Sequence, residues 1–321
     1  MPPRLQVHVL SALTPGPRVE ASGKLRAYLE LVRAHNLLGT VLGVIAGAAL
    51  LGEVNVAAAI ASASAAAVAA GGYAINDYFD VEIDKVNKPE RPIPSGRVGA
   101  EEARKLALAL LALGPLLGLA VGPLTGAYAA LNAVLMYYYS KSLKKTGLPG
   151  NLAVSFSTAS TLLYGSLATA EWAGEVARVL RTIPIILMVF LMTLAREVVK
   201  GVEDYVGDKE GGVKTLAVVK GPDFALRAAL ALACASLALA YLAAPLLSLG
   251  YAFLAFVTLG GLLSLASVAA CLRSEDPVRC AAKPRRAMKV AMFLGLIGIL
   301  VDRLVQPVFY PHVLHAGGEE G

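Results

Sequence analysis

Asn76-Asp77-Tyr78-Phe79-Asp80-Val81-Glu82-Ile83-Asp84, continued by Lys85-Val86-Asn87-Lys88-Pro89-Glu90-Arg91-Pro92-Ile93-Pro94-Ser95-Gly96, interrupts two long apolar segments with charge. Asp77, Asp80 and Asp84 recur at i, i+3 and i+7. On a helix that spacing puts the carboxylates on one face. Like charges so placed repel and weaken the helix unless a cation sits among them. Carboxylates at a membrane boundary are also costly to desolvate, which marks them as functional candidates. The ordinary alternative is a solvated loop face. Oxygen donors with no nearby Cys or His favour Mg2+ or Ca2+ over zinc. Lys85, Lys88, Arg91 and Arg97 follow directly and point to an anion in the same place.

The flanking segments set the class. Of 321 residues, 57% are hydrophobic and 16% charged, against about a quarter charged in a soluble domain. Apolar segments fall at 27–52, 55–76, 102–121, 124–140, 151–170, 180–198, 224–243, 246–271 and 287–307. One span needs about 20 apolar residues, so the expectation is an all-α, polytopic membrane bundle of nine transmembrane helices. It forms one domain over 24–311, between a polar N-terminal tail at 1–23 and a C-terminal tail at 312–321. The N-terminal tail lacks the apolar core of a cleaved signal peptide. Gly43, Gly47 and Gly52, or Ser62, Ala66 and Ala70, offer small surfaces on which helices approach closely in lipid. Ordinary small-residue helix surface explains them equally well.

The net charge of +6 raises nucleic acid as a partner, but the basic residues sit in short loops between spans, where membrane orientation explains them better. They concentrate before the first span, and after the second, fourth, sixth and eighth. Only Arg178 and Arg181 break the alternation. By the positive-inside rule the N-terminus is cytoplasmic and the C-terminus outside, in a multi-pass cell-membrane protein. Every chemically suggestive loop then opens on the cytoplasmic side. Trp172 falls in an outer connection, as an interface anchor would. Cys234, Cys271 and Cys280 form no CxxC and imply neither a disulfide framework nor a metal knuckle. His8, His35, His312 and His315 form no HExxH, which argues against a histidine metal site.

A second acidic motif lies between spans six and seven, in Arg196-Glu197-Val198-Val199-Lys200 and Glu203-Asp204-Tyr205-Val206-Gly207-Asp208-Lys209. Glu197, Asp204 and Asp208 are spaced i, i+7 and i+11 and recur on one helical face. Two such stripes facing each other carry more negative charge than one divalent ion needs. Mg2+ shares carboxylates with substrate phosphates, so a diphosphate with Mg2+ is the natural occupant. Gly211-Gly212-Val213-Lys214-Thr215 lacks the P-loop order and no strand precedes it. Tyr137-Tyr138-Tyr139-Ser140-Lys141, with Lys144 and Lys145, reads either as an aromatic belt with positive-inside charge or as a basic lip for a departing phosphate. In the second reading the tyrosine faces stabilise positive charge.

NDxxDxxxD at Asn76–Asp84, NKPxRPIPSG at Asn87–Gly96 and DxxxD at Asp204–Asp208 resemble the UbiA superfamily of intramembrane prenyltransferases. The resemblance runs from Arg33 and Asn36 to the last helices. It implies a nine-helix bundle around a central cavity with a cytoplasmic cap, and Mg2+ held by both motifs against a prenyl diphosphate. Carried onto this chain, Asn76, Asp77, Asp80 and Asp84 form the first cluster, and Asp204 and Asp208 the second, with Glu197 where quinone-pathway members carry Asp. Some relatives also carry Asp where this chain has Gly201. Arg91, Lys141, Lys144, Lys145, Lys200 and Lys209 are the diphosphate-binding candidates. Arg33, Asn36 and Tyr205 are candidates for the acceptor or the cavity. Asp80, Asp208 and Tyr139 are the catalytic candidates, Tyr139 facing the allylic cation.

Both loops look most like the archaeal lipid branch, whose members attach a second geranylgeranyl chain to geranylgeranylglyceryl phosphate. Partners are then a prenyl diphosphate donor, a lipid or aromatic acceptor and membrane lipids, with no nucleic acid. Prenylation of an aromatic acid or quinone precursor is the alternative within the enzyme class. Outside it stand an anion transporter and a scaffold that binds prenyl diphosphate without turnover. Transporters place their sites near the midplane on broken helices, whereas both motifs here cluster at one face.

Overall fold

The computed structural model describes residues 21–309. The expected tail at 312–321 and nearly all of that at 1–23, with His8, His312 and His315, lie outside the described residues. The elements are α1 (Ala21–Leu31), α2 (Ala34–Leu50), α3 (Val56–Phe79), α4 (Val81–Asn87), α5 (Ala100–Leu119), α6 (Pro123–Lys141), α7 (Leu148–Trp172), α8 (Ile183–Glu203), α9 (Tyr205–Glu210), α10 (Leu216–Lys220), α11 (Pro222–Leu246), α12 (Tyr251–Leu272), α13 (Pro277–Cys280) and α14 (Ala282–Phe309). No strand occurs among the described residues.

Nine of these helices have at least 17 residues among the described residues, and each overlaps one of the apolar segments. Four contain a stretch long and apolar enough to cross a membrane: α3, α8 with the 3-10 turn before it, α11 and α12. The pair α1–α2, bent by 47°, makes a fifth when counted as one span. By length and composition, then, the chain is membrane-integral with four or five demonstrable spans rather than nine. The others carry too much polarity to qualify alone. Helix α5 opens with Glu101, Glu102, Arg104 and Lys105, and α14 carries Lys283, Arg285, Arg286, Lys289, Asp302 and Arg303. A helix whose polar side faces neighbours or a cavity need not be apolar all round.

Helix α3 lies along α5, α2 along α7, α8 along α11 and α12 along α14. Helix α14 also meets α2 and α8, so the last long helix closes the ring on the first. The contacts are made by small residues, because apolar burial gives little drive for association in lipid. A Cβ built on Gly43 would fall 2.3 Å from Thr161 Oγ1, and one on Gly47 would fall 2.0 Å from the Leu162 carbonyl oxygen. Gly165 meets the Val44 carbonyl equally closely from the other side. The expected glycine face of α2 is therefore the α2–α7 contact. Gly52 takes no part: it faces open space at φ 82°. Between α3 and α5 the close approach uses Gly71, Ser64 and Gly114, the Ser64 hydroxyl donating to the Gly114 carbonyl at 2.7 Å.

Away from the acidic motifs, carboxylates act as helix caps. Glu171 accepts from the backbone N–H groups of Leu124 and Thr125 at 2.9 and 2.7 Å, opening α6. Asp302 accepts from Gly250 and Phe253, at 3.0 and 3.3 Å, opening α12. Each satisfies N–H groups that a helix start leaves without partners.

Gly47→Val drives its side chain into the Leu162 carbonyl, and overpacking of this kind costs about 1–3 kcal/mol. A thermal melt of the detergent-solubilised protein should show a midpoint lower by several degrees. Gly295→Ala, with nothing within 4 Å of the new Cβ, should leave it unchanged. Equal melting of the two variants would refute the tight α2–α7 contact.

Candidate active site

Neither acidic motif is one continuous helix. Helix α3 ends at Phe79 and α4 starts at Val81, leaving Asp80 as the hinge at φ −93°, ψ 1°. Helix α8 ends at Glu203 and α9 starts at Tyr205, leaving Asp204 at φ −86°, ψ 7°. Both aspartates occupy the sparsely populated bridge region, where many active-site residues sit. The same sequence device, an aspartate followed by a short second helix, thus turns the chain at both motifs. The expectation of single helical faces is corrected accordingly. Carboxylates on either side of each hinge point from two helices rather than one.

The first motif is closed by cations from three directions. Arg33 donates to Asp77 Oδ1 at 2.7 Å. Arg91 donates through one nitrogen to Asp77 Oδ1 at 3.2 Å and to Asp84 Oδ2 at 2.5 Å. Asp77 and Asp84 are buried, and a buried carboxylate without such partners would not stay charged. Lys144 Nζ donates to Asn76 Oδ1 at 3.1 Å and Asp80 Oδ1 at 2.5 Å, and Asn76 Nδ2 donates to Asp80 Oδ2 at 3.0 Å.

Local sequence explains these positions. Pro89, Pro92 and Pro94 forbid a helix after α4. The Ser95 N–H and hydroxyl both bond the Arg91 carbonyl, at 3.0 and 2.7 Å, and Gly96 turns the chain at φ 73°. This folded loop presents Arg91 to the aspartates. Arg33 sits at the α1–α2 bend in a left-handed conformation, φ 50°, ψ 53°, a strain of order 1–3 kcal/mol. Its ion pair with Asp77, and its guanidinium 5.0 Å from the centre of the Tyr73 ring, hold it there.

The first motif, through Asn76, Asp80 and Asp84, and Glu197 of the second line one cavity of about 930 Å³, whereas Asp204 and Asp208 are not among its lining residues. Its charged end is lined by Arg33, Asn36, Asn76, Asp80, Asp84 and Arg91 from one side. Lys144 and Lys145 follow from the α6–α7 turn, with Arg196, Glu197 and Lys200 from α8. Tyr139 lines the cavity within electrostatic reach of both Asp80 and Glu197. Further in, the wall becomes mostly apolar, with Ala65, Val68, Met188, Ala240, Val257 and Ile299.

Other candidates stand elsewhere. Asp77 is covered by its arginines and does not line the cavity. Lys141, Asp204 and Lys209 are exposed outside it. Tyr205 packs against the apolar cluster beneath α9, its ring under Lys209. Asp208 is half-buried. Burial first, then the neighbouring Asp204 carboxylate, push the Asp208 carboxyl above its ordinary value. Lys200 and a hydrogen bond from Thr215 act in the opposite sense. A cation placed between Asp204 and Asp208 would reverse that shift.

Arg196, Tyr73 and Lys289 were not singled out in the sequence, and all three line the cavity. Arg196 adjoins Glu197 and donates to it at 2.6 Å, so a basic residue next to a motif acid was the available signal. Tyr73 and Lys289 gave none.

Among the described residues, no three His, Cys, Asp or Glu side chains converge as a metal cluster. Mg2+ does not require one, since it is held by one or two carboxylates together with substrate phosphates. Asn76 and Asp80 already direct two oxygens at one positive atom, Lys144 Nζ. The donors are all oxygen. These residues fit a hard divalent ion whose coordination a substrate completes.

Comparison with known proteins agrees with this geometry. Residues 36–297 match the UbiA prenyltransferase family. The digeranylgeranylglyceryl phosphate synthase of Methanopyrus kandleri is 41% identical over 284 residues, covering 87% of this chain and 100% of that protein. A solved structure, described as giving insights into the biosynthesis of digeranylgeranylglyceryl phosphate synthase in membranes, matches with TM-score 0.73 at 32% identity. It covers 88% of this chain and 99% of that one. A UbiA homolog from Archaeoglobus fulgidus, described as bound to DMAPP and Mg2+, shares the fold with TM-score 0.59 at 19% identity, over 86% of this chain and 99% of its own. The transporter and scaffold readings give way to an enzyme. The chain belongs to the UbiA prenyltransferase family and is a membrane-integral prenyltransferase.

Proposed function

We propose that the enzyme transfers a geranylgeranyl group from geranylgeranyl diphosphate to the free hydroxyl of geranylgeranylglyceryl phosphate, in archaeal ether-lipid synthesis. The observation that carries this reading is a cavity of about 930 Å³, charged at the end lined by the first motif, Lys144, Arg196 and Glu197 and mostly apolar beyond. The name of its relative from Methanopyrus kandleri supports the choice of acceptor. In this reading all nine long helices cross the bilayer as one domain over 24–311. The N-terminus is cytoplasmic, the C-terminus outside, and the charged mouth opens to the cytoplasm. The alternation of Lys and Arg between connections supports that orientation.

Mg2+ is the cofactor in this reading; Asn76, Asp80 and Asp84 of the first motif and Glu197, Asp204 and Asp208 of the second would hold it. Asp77 contributes by fixing Arg33 and Arg91. Bound there, Mg2+ supplies Lewis-acid stabilisation of the departing diphosphate. Arg91, Lys144, Lys145 and Lys200 stabilise the same developing charge from fixed positions. Lys141 and Lys209, exposed at the rim, attract the diphosphate rather than clamp it.

As the allylic C–O bond opens, positive charge grows on the prenyl carbon, and the Tyr139 ring faces it. The apolar wall holds the isoprenoid tail and excludes water, which would otherwise consume the cation. Arg33 and Asn36, which line the cavity, border the acceptor's approach, and Tyr205, packed beneath α9, takes no part. The acceptor hydroxyl oxygen then forms the new C–O bond and loses its proton, which the released diphosphate can take up.

Incubating the purified enzyme with geranylgeranyl diphosphate and a panel of acceptors, with products identified by mass, tests the assignment. A product from geranylgeranylglyceryl phosphate is expected; a product from aromatic acids alone would replace it. EDTA should abolish turnover and Mg2+ restore it, so full activity in EDTA rules out the metal. Asp80→Asn should lower kcat by about 100-fold or more with the melting midpoint retained. Near-normal turnover removes Asp80 from the chemistry. Lys144→Ala should cost at least about tenfold in kcat/KM and Lys141→Ala less than about threefold; the reverse order contradicts the clamp.

A further inference from the structure

We propose that Arg196 and Lys289 form a second anion subsite, on the wall shared by α8 and α14, that takes the phosphate monoester of the acceptor lipid. The inference rests on the proposed function, because only a phosphorylated acceptor requires it.

Two contacts fix how these helices meet. At the mouth Arg285 pairs with Glu203, its Nη2 donating to Oε1 at 3.1 Å. Deeper in, the Thr193 hydroxyl lies 4.0 Å from the Met292 sulfur. Residue 203 opposite 285 and 193 opposite 292 make the two helices antiparallel. Arg196 follows Thr193 by three residues and Lys289 precedes Met292 by three. Each therefore lies about 4.5 Å nearer the mouth than the same contact. Both line the cavity.

Most guanidinium and ammonium groups of the other wall are paired, Lys88 and Lys145 being without an ion pair among the described residues. Across the cavity Arg33, Arg91 and Lys144 are engaged by Asp77, Asp84 and Asp80. On the α8 and α14 side, Arg196, Lys200 and Lys289 line the cavity with one carboxylate, Glu197. Glu197 occupies one terminal nitrogen of Arg196. The Nε of that guanidinium is buried and has no hydrogen-bond partner among the described residues. Lys289 has no ion-pair partner among the described residues. Lys200, one turn beyond Arg196, is within electrostatic reach of Asp208 and belongs with the second motif.

The Arg196 Nε is closed off from the cavity, but the Arg196 side chain lines it and is 22% exposed, which leaves the guanidinium edge beyond the nitrogen held by Glu197 for a ligand acceptor. A guanidinium edge beside an ammonium suits a phosphate monoester. The proposed reaction brings two phosphorylated substrates into one cavity, where their charges repel. Separate cation sets hold them apart. Anchoring the acceptor by its phosphate leaves its hydroxyl to face the allylic carbon.

Steady-state kinetics on Arg196→Gln, Lys289→Gln and Arg196→Lys test this, with geranylgeranyl diphosphate as donor. The acceptors are geranylgeranylglyceryl phosphate and the corresponding dephosphorylated alcohol. In both Gln variants the KM for the phosphorylated acceptor should rise about tenfold or more. In Lys289→Gln the KM for the donor, and kcat/KM for the alcohol, should stay within about twofold; Arg196→Gln also frees Glu197, so it is read by the acceptor KM alone. Arg196→Lys, which keeps the charge, should recover part of the loss. Lys289 is exposed and carries no ion pair, so its variant folds and reads the subsite even where Arg196→Gln does not. An unchanged acceptor KM in Lys289→Gln, or an equal rise in donor KM, overturns the subsite and leaves the proposed function standing. No product from the wild type with the phosphorylated acceptor overturns both.

Discussion

Charge held beside a low-dielectric interior is the constraint on which the rest of this structure depends. An uncompensated carboxylate there would take up a proton or unfold its surroundings. The molecule answers with basic partners at Asp77, Asp80, Asp84 and Glu197. Asp77 and Asp84 are bridged by Arg91, Asp77 is held again by Arg33, Asp80 by Lys144, and Glu197 by Arg196. At the far ends of the helices Glu171 and Asp302 are used up as caps on backbone N–H groups. At the mouth of the cavity carboxylates and cations face an open volume, and there the charge can be redistributed when a polyanion and its metal enter.

The long helices exist to bring that mouth together. In lipid they cannot rely on burial of apolar area, so they pack through glycine and serine at backbone distance. Gly43 and Gly47 of α2 against α7, and Gly71 with Gly114 between α3 and α5, set these separations. The backbone then departs from regular helix where chemistry is needed. Asp80 and Asp204 sit at equivalent hinges, and Arg33 accepts a left-handed conformation at the α1–α2 bend. Interactions with Asp77 and Tyr73 offset that strain.

Helical class and membrane setting were legible because a span needs a long apolar run, and such runs leave a mark that neighbours cannot erase. The span count was less legible. Helices α5 and α14 carry charges that only their partners or the cavity make tolerable, so composition alone certifies four or five spans. Of the first motif, Asn76, Asp80 and Asp84 line the cavity and Asp77 lies behind them, with Lys144, one of the lysines named beside it, in contact with Asp80. Linear spacing misjudged the faces: it assumed continuous helices through Asp80 and Asp204, and the chain bends at both.

The sequence by itself determined that this chain is an all-helical membrane protein with two oxygen-rich acidic motifs and a prenyltransferase signature, because periodicity, hydropathy and motif wording are local properties. Tertiary structure alone decided which of the charged residues meet. That Lys144 reaches Asp80 while Lys141 does not depends on the turn after α6. That Arg196 and Lys289, far apart in the chain, share one wall depends on the antiparallel contact of α8 with α14. Such pairings are set by helix packing across the bundle, and nothing in the spacing of residues along one helix encodes the rotation of its neighbour.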